Sequence, residues 1–305
     1  MRVAVTSPSF SKHPELIEAI TSSFNEVKLN SEGIRFTKEE LIEYLKGYDA
    51  AIVGLDKVDT EVLLALPNLK VIAKYGVGLD NVDLEACKNR GVEIGWTGGV
   101  NKTSVAEMTL GNILSLLRNL YVSSNLLSKG VWKKDGGVQL SNKTIGIIGI
   151  GFIGKELIKF LKPFNCTILV NDIVDQPDYY TENDLINSTK EEIFEKSDVI
   201  TIHTPLTKDT FHLINEQSLT KMKDGVVIIN SARGGIVDEV ALLNALNNNK
   251  IRGAALDVYE IEPPVNDSLL SSPKLICTPH IGGNAQEAIF SMGMSAINHL
   301  LRINK

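Results

Sequence analysis

Residues 144–172 constrain this chain more than any other stretch. Thr144-Ile145-Gly146-Ile147-Ile148 is apolar enough for a buried strand. It runs into Gly149-Ile150-Gly151-Phe152-Ile153-Gly154, and then into residues 155–162, whose apolar spacing is helical. A second apolar run, Cys166-Thr167-Ile168-Leu169-Val170, ends at Asn171-Asp172. A strand, a glycine turn, a helix and a second strand ending in an acid is the layout that binds a dinucleotide. Gly149 permits the tight turn, Gly151 lets backbone approach a pyrophosphate, and Gly154 lets helix and strand pack closely. The helix N-terminus adds free N–H groups and a partial positive charge for the phosphates. Asp172, eighteen positions after Gly154, is placed to accept hydrogen bonds from both ribose hydroxyls. A carboxylate there would repel a 2′-phosphate, so the expected cofactor is NAD rather than NADP. Three glycines after a strand can be merely a turn; here strand, helix and acid all agree on the nucleotide.

A chain of 305 residues is long enough for two domains with separate cores. Its 43% hydrophobic and 22% charged residues are ordinary for a soluble globular protein. A net charge of −6 argues against nucleic acid or anionic membrane as a partner. Cys87, Cys166 and Cys277 are odd in number, widely spaced and without metal-ligand spacing, as expected of free thiols in a reducing compartment and of a protein with no metal. Met1-Arg2-Val3-Ala4-Val5 begins a strand without a signal-peptide pattern, and no apolar run approaches a membrane span. A cytoplasmic location follows.

Short apolar runs alternate with amphipathic segments throughout. Strands are predicted at 3–5, 50–53, 71–73 and 92–94, with helices at 14–20, 38–45 (capped by Thr37), 60–66 and 84–89. That alternation predicts a parallel sheet with helices on both faces. Gly95-Trp96-Thr97-Gly98-Gly99 reads as a domain crossing, followed by one long helix at about 104–128. Further strands are predicted at 199–202, 226–229, 253–256 and 275–277, and a final helix at about 285–301 could return to the first domain. The nucleotide domain, 101–283, is thus expected as an insertion in a substrate-binding domain made of 1–100 and 284–305, with a small-molecule cleft between them.

Three segments end predicted strands, on the side where open parallel sheets bind ligands. They are residues 228–235, carrying Arg233; 255–264, carrying Glu262; and 277–283, carrying His280. A guanidinium, a carboxylate and an imidazole are what reversible oxidation of a 2-hydroxy acid needs. Arg233 can pair with a substrate carboxylate and polarise the adjacent carbonyl. His280 can donate a proton to the carbonyl oxygen as hydride arrives, with Glu262 favouring its imidazolium form. Singly, each has a bland alternative as a surface charge, a loop residue or a turn residue; their common location favours the chemistry. His203 also follows a strand but lacks an acidic neighbour, so His203-Thr204-Pro205 reads as cofactor lining. His13, His212 and His299 read as structural. In the turn Tyr75-Gly76-Val77-Gly78-Leu79, the N–H groups of Val77 and Gly78 can converge on an anion, and a plain strand-to-helix turn is an equal reading.

Taken together, the chain resembles the D-isomer-specific 2-hydroxyacid dehydrogenases over nearly its whole length. The matching motifs are GIGFIG at 149–154, HTPLT at 203–207, NSARGGIVDE at 230–239, LDVYEIEP at 256–263 and TPHIGG at 278–283. The resemblance implies an α/β fold, with a Rossmann-type NAD-binding domain inserted in a flavodoxin-like parallel-sheet substrate domain. It implies Arg233, Glu262 and His280 as the catalytic set. It assigns Phe152, Ile153, Asp172, Thr204, Ala232, Arg233, Asp257, His280 and Gly283 to NAD, joined by Gly149, Gly151, Gly154, His203, Pro205 and Ser231. Val77 and Gly78 would hold the substrate carboxylate. A homodimer joined through the NAD-binding domain is also implied. Residues 74–83 are most similar to the phosphoglycerate dehydrogenase pattern within the family, which usually has Arg where Lys74 stands. Lys74 is therefore expected to meet a substrate phosphate, with glyoxylate or hydroxypyruvate reduction as the alternative. Formate dehydrogenases carry Gln where Glu262 stands. A non-catalytic NAD-sensing corepressor is the reading from another class.

Overall fold

The structure, a computed structural model, describes residues 1–303. The chain forms two compact units, Met1–Asn101 with the chain from Gly283 onward, and Lys102–Gly282.

In the first unit five strands, β1 (Arg2–Val5), β2 (Glu26–Leu29), β3 (Ala50–Val53), β4 (Val71–Lys74) and β5 (Glu93–Gly95), form one parallel sheet in the order β2-β1-β3-β4-β5. This is the flavodoxin-like order. Every residue of β3 and β4 is buried, which explains why their sequences are continuous apolar runs rather than alternating ones. Successive side chains leave opposite faces, so Val3 and Val5 enter one core and Ala4 the other. The first core is completed by Met292, Ile297 and Leu300 of the helix Gln286–Ile303. Gly293 on that helix meets the Leu16 side chain, which comes within 2.3 Å of where a Cβ would stand. Thr37 caps the helix Lys38–Leu45 as predicted, with Glu40 returning a bond to the Thr37 N–H at 2.8 Å.

In the second unit the strands are β6 (Thr144–Ile148), β7 (Thr167–Asn171), β8 (Ile186–Asn187), β9 (Val199–Ile202), β10 (Val226–Asn230), β11 (Ile251–Leu256) and β12 (Leu275–Cys277). All pairings are parallel, in the order β12-β11-β10-β9-β6-β7-β8. This is the dinucleotide-binding order with a seventh strand added. The order reverses between β6 and β9, where such sheets open a crevice beyond their carboxyl ends.

Two strands, β2 and β8, escape the sequence pattern. Both lie at sheet edges, and neither holds a buried residue. The single long helix expected at 104–128 is instead two, Lys102–Leu117 and Leu120–Ser128. Asn119 turns left-handed at φ 53°, and Asn119 Nδ2 donates to the Asp135 carbonyl at 3.3 Å. Val138 N–H then takes the Leu117 carbonyl at 2.8 Å, ending the helix with a tertiary partner. No helix among the described residues is long and apolar enough to cross a membrane.

Candidate active site

At the sheet's switch point, Gly149 has φ 100°, and a Cβ there would stand 2.6 Å from the His203 carbonyl oxygen. A Cβ on Gly154 would stand 2.3 Å from the Gly149 carbonyl, so helix Phe152–Leu161 packs against the turn only because that position is glycine. Gly151 precedes the helix with open space where its Cβ would be. Phe152 is exposed and Ile153 half-buried on the first helical turn. Asp172 follows β7 and is held by two N–H groups: Ile150 donates to Oδ2 at 2.5 Å and Val174 to Oδ1 at 2.9 Å. Its carboxylate is thereby oriented beside the glycine turn.

His203, Thr204 and Pro205 leave β9 beside this turn. Nε2 of His203 lies 3.0 Å from Thr201 Oγ1, while its Nδ1 is sealed from solvent. Burial drives the His203 pKa down to about 4, so at neutral pH the ring is uncharged and cannot serve as a general acid. His203 Nδ1, Thr204 Oγ1 and, after β10, Ser231 Oγ are buried polar atoms without a partner among the described residues. Such atoms are costly unless something polar meets them. A pyrophosphate and carboxamide offer that partner, so the turn, the acid and the orphaned atoms fit a nicotinamide dinucleotide.

Arg233, Glu262 and His280 follow β10, β11 and β12. Two buried residues shape their loops. Asn230, 1% exposed, accepts from Ala232 N–H at 3.1 Å and donates to the Arg233 carbonyl at 2.8 Å. Asp257, 2% exposed, accepts from Thr278 Oγ1 at 2.6 Å, Ile281 N–H at 2.8 Å and Gly282 N–H at 2.7 Å. This carboxylate, expected at the cofactor, has the observed work of folding the loop that carries His280. His280 itself has φ 55°, a conformation that non-glycine residues adopt only when their surroundings enforce it. Its Nδ1 lies 2.8 Å from Glu262 Oε2, and Glu262 Oε1 accepts from Tyr259 N–H at 3.2 Å. Arg233 Nη1 donates to the Ala232 carbonyl at 2.7 Å, and Ala232 is buried. Pattern reading missed Asn230 as a shaping residue; its one signal was an amide closing an otherwise apolar run.

In the first unit, Gly76 turns at φ 122°, and Val77 accepts from Trp96 Nε1 at 2.9 Å. Among the described residues the Val77 and Gly78 N–H groups have no acceptor. Gly283 also belongs to this unit, against the Asn101 side chain. Lys74 is 5% exposed, and its ammonium donates to the Gly54 carbonyl. Burial pushes the neighbouring Asp56 carboxyl above its usual range, opposed by the Thr6 hydroxyl at 2.5 Å and by the Lys74 charge. Asn81 Nδ2 joins the same cluster, donating to the Gly54 and Asp56 carbonyls at 3.1 and 2.6 Å.

The family described as "D-isomer specific 2-hydroxyacid dehydrogenase, NAD binding domain" matches residues 110–282. A hydroxypyruvate reductase of Thermotoga maritima is 36% identical, over 93% of this chain and 94% of its own length. A D-3-phosphoglycerate dehydrogenase of Archaeoglobus fulgidus is also 36% identical, over 100% of this chain but 58% of its own. The solved D-lactate dehydrogenase from Aquifex aeolicus, complexed with NAD and lactic acid, superposes with a TM-score of 0.85 at 29% identity, covering 100% of this chain and 95% of that one. The glycine turn, the oriented acid and the two sheet orders agree with these likenesses, and the chain belongs to the D-isomer specific 2-hydroxyacid dehydrogenases, NAD-dependent enzymes that interconvert 2-hydroxy and 2-oxo acids.

Proposed function

We propose that the protein reduces a small, unphosphorylated 2-oxo acid of the hydroxypyruvate or glyoxylate kind, with His280, Glu262 and Arg233 as its catalytic residues. The 2.8 Å contact between His280 Nδ1 and Glu262 Oε2 carries the catalytic part of this reading. With Nδ1 engaged, Nε2 is the nitrogen left to deliver a proton, and the carboxylate holds the ring in place for the delivery. NAD, when bound, carries the hydride. Arg233 pairs with the substrate carboxylate and polarises the carbonyl.

Lys74 carries the choice of substrate. An ammonium already bonded to the Gly54 carbonyl and facing Asp56 has one donor engaged and part of its charge balanced, which leaves less of it for a phosphate. A second reading, 3-phosphohydroxypyruvate, is favoured by the likeness to a phosphoglycerate dehydrogenase along the whole chain. A panel of 2-oxo acids with NADH decides between them. Hydroxypyruvate or glyoxylate is expected to exceed 3-phosphohydroxypyruvate at least tenfold in kcat/KM, about 1.4 kcal/mol. Lys74→Ala is expected to impair every substrate alike. A loss confined to the phosphorylated acid would restore the second reading.

Cofactor choice rests on Asp172. NADH is expected to exceed NADPH in kcat/KM, and Asp172→Ala to narrow the gap by at least tenfold, the scale of one charge-assisted contact at about 1.5–3 kcal/mol. Equal use of both cofactors by the unaltered enzyme would sink the assignment.

A further inference from the structure

The segment that carries Glu262 is exposed from Glu260 to Pro263, yet Glu262 must hold its carboxylate against the His280 ring. What keeps an exposed segment in register is a set of contacts two residues upstream. Glu260 N–H donates to Glu239 Oε1 at 2.8 Å, and Glu239 N–H donates back to Glu260 Oε1 at 3.4 Å. The same Glu260 oxygen lies 3.1 Å from His212 Nε2, while His212 Nδ1 lies 3.8 Å from Asp238 Oδ2. His212 is itself fixed: its N–H donates to the Gly235 carbonyl at 2.8 Å, its φ is 48°, and the Phe211 ring stacks on it at 4.0 Å. Asp238 caps the helix Glu239–Asn247, so Glu239 stands at a rigid helix start. Next to this, Gly234 lies so close to Tyr259 that a Cβ would stand 1.7 Å from its carbonyl oxygen. Three chain segments meet here: the one bearing His212, the one running from Arg233 to Glu239, and the one bearing Glu262.

We infer that Glu260 is a positioning residue, a clamp that ties the Glu262 segment to the Arg233–Glu239 segment through Glu239 and His212 and so holds the Glu262 carboxylate on His280. Three acidic residues in one cluster, two of them with an oxygen within 3.8 Å of the His212 ring, are a poor arrangement for stability alone. Burial, then repulsion from Glu260 and Asp238, raises the Glu239 carboxyl above its usual range. The arrangement makes sense if geometry at Glu262 is what it secures. His212, read from the sequence as merely structural, becomes the side chain that the Glu260 carboxylate meets at 3.1 Å.

The inference rests on the proposed His280–Glu262 pair, and a double-mutant cycle separates the two. Glu260→Ala is expected to lower kcat about tenfold with KM for NADH unchanged, an interaction of ordinary size for contacting residues. Glu260→Gln, which keeps the accepting oxygen, is expected to restore kcat to within about twofold. In a Glu262→Gln background, where there is no carboxylate left to position, Glu260→Ala is expected to cost less than about twofold. His212→Ala, at a site on the surface of the fold, is expected to show a smaller loss of kcat that also vanishes in that background. Equal losses from Glu260→Ala in both backgrounds, or a Gln variant as impaired as the Ala variant, would overturn the clamp. A Glu262→Gln enzyme with unaltered kcat would instead overturn the catalytic pair on which the clamp rests.

Discussion

Replacing His280 with asparagine is expected to lower kcat for oxo-acid reduction about 10²–10⁴-fold, the usual contribution of a positioned general acid. Asparagine is the informative substitution because of the backbone. At φ 55° an alanine would be strained by roughly 1 kcal/mol, and loss of activity could then reflect a displaced loop. Asparagine tolerates the left-handed region and cannot protonate a carbonyl. The loop's other supports are independent of the ring, because Asp257 holds Thr278, Ile281 and Gly282. NADH affinity and melting temperature should therefore stay near those of the parent enzyme, and the loss should appear in kcat rather than in KM for NADH. His203 offers no substitute, being neutral at pH 7 with a pKa of about 4. An asparagine variant retaining more than a tenth of the parent kcat would remove His280 from the chemistry.

How much of this was legible in the sequence depended on whether a feature is local. β3 and β9 were read to the residue because each is four consecutive buried positions, which leaves an apolar run with sharp ends. β2, Glu26-Val27-Lys28-Leu29, leaves no such run because an edge strand shows its side chains to solvent. The break at Asn119 was invisible for another reason: Leu117 and Leu120 keep the apolar spacing of a helix across it, and what stops the helix is a loop about twenty residues further on. Among site residues, the glycine turn and Asp172 are spaced by a rule of the fold and could be counted off. Asn230 and Asp257 act through neighbours that only the folded chain supplies. The bond made by Lys74 is of the same kind, since a lysine at the end of a strand is ordinarily solvated and nothing local announces the Gly54 carbonyl beside it. Glu262 and His280 could be guessed as companions at strand ends, but the clamp of Glu239, Glu260 and His212 could not.

The second large effect is expected at Arg233. If its guanidinium both binds the substrate carboxylate and polarises the carbonyl, Arg233→Ala should lower kcat/KM about 10²–10³-fold, or 2.7–4 kcal/mol, the range measured for losing one donor to developing negative charge. A surface arginine would give a change within a factor of a few. The surroundings favour the larger number. Nη1 already donates to the Ala232 carbonyl at 2.7 Å, and the Asn230 amide holds the Arg233 carbonyl at 2.8 Å, so the fork is tethered to its own loop before substrate arrives. Orientation of this kind is what lysine lacks: its ammonium is a point charge on a flexible stem without the planar pair of donors. Arg233→Lys is therefore expected to recover less than about tenfold of the alanine loss, although it restores the charge in full. The two roles separate kinetically, carboxylate binding appearing in KM and carbonyl polarisation in kcat, so both parameters should worsen in the alanine variant. A lysine variant with the kcat/KM of the parent would mean that charge alone is used, and a parent-like alanine variant that Arg233 lies outside the reaction.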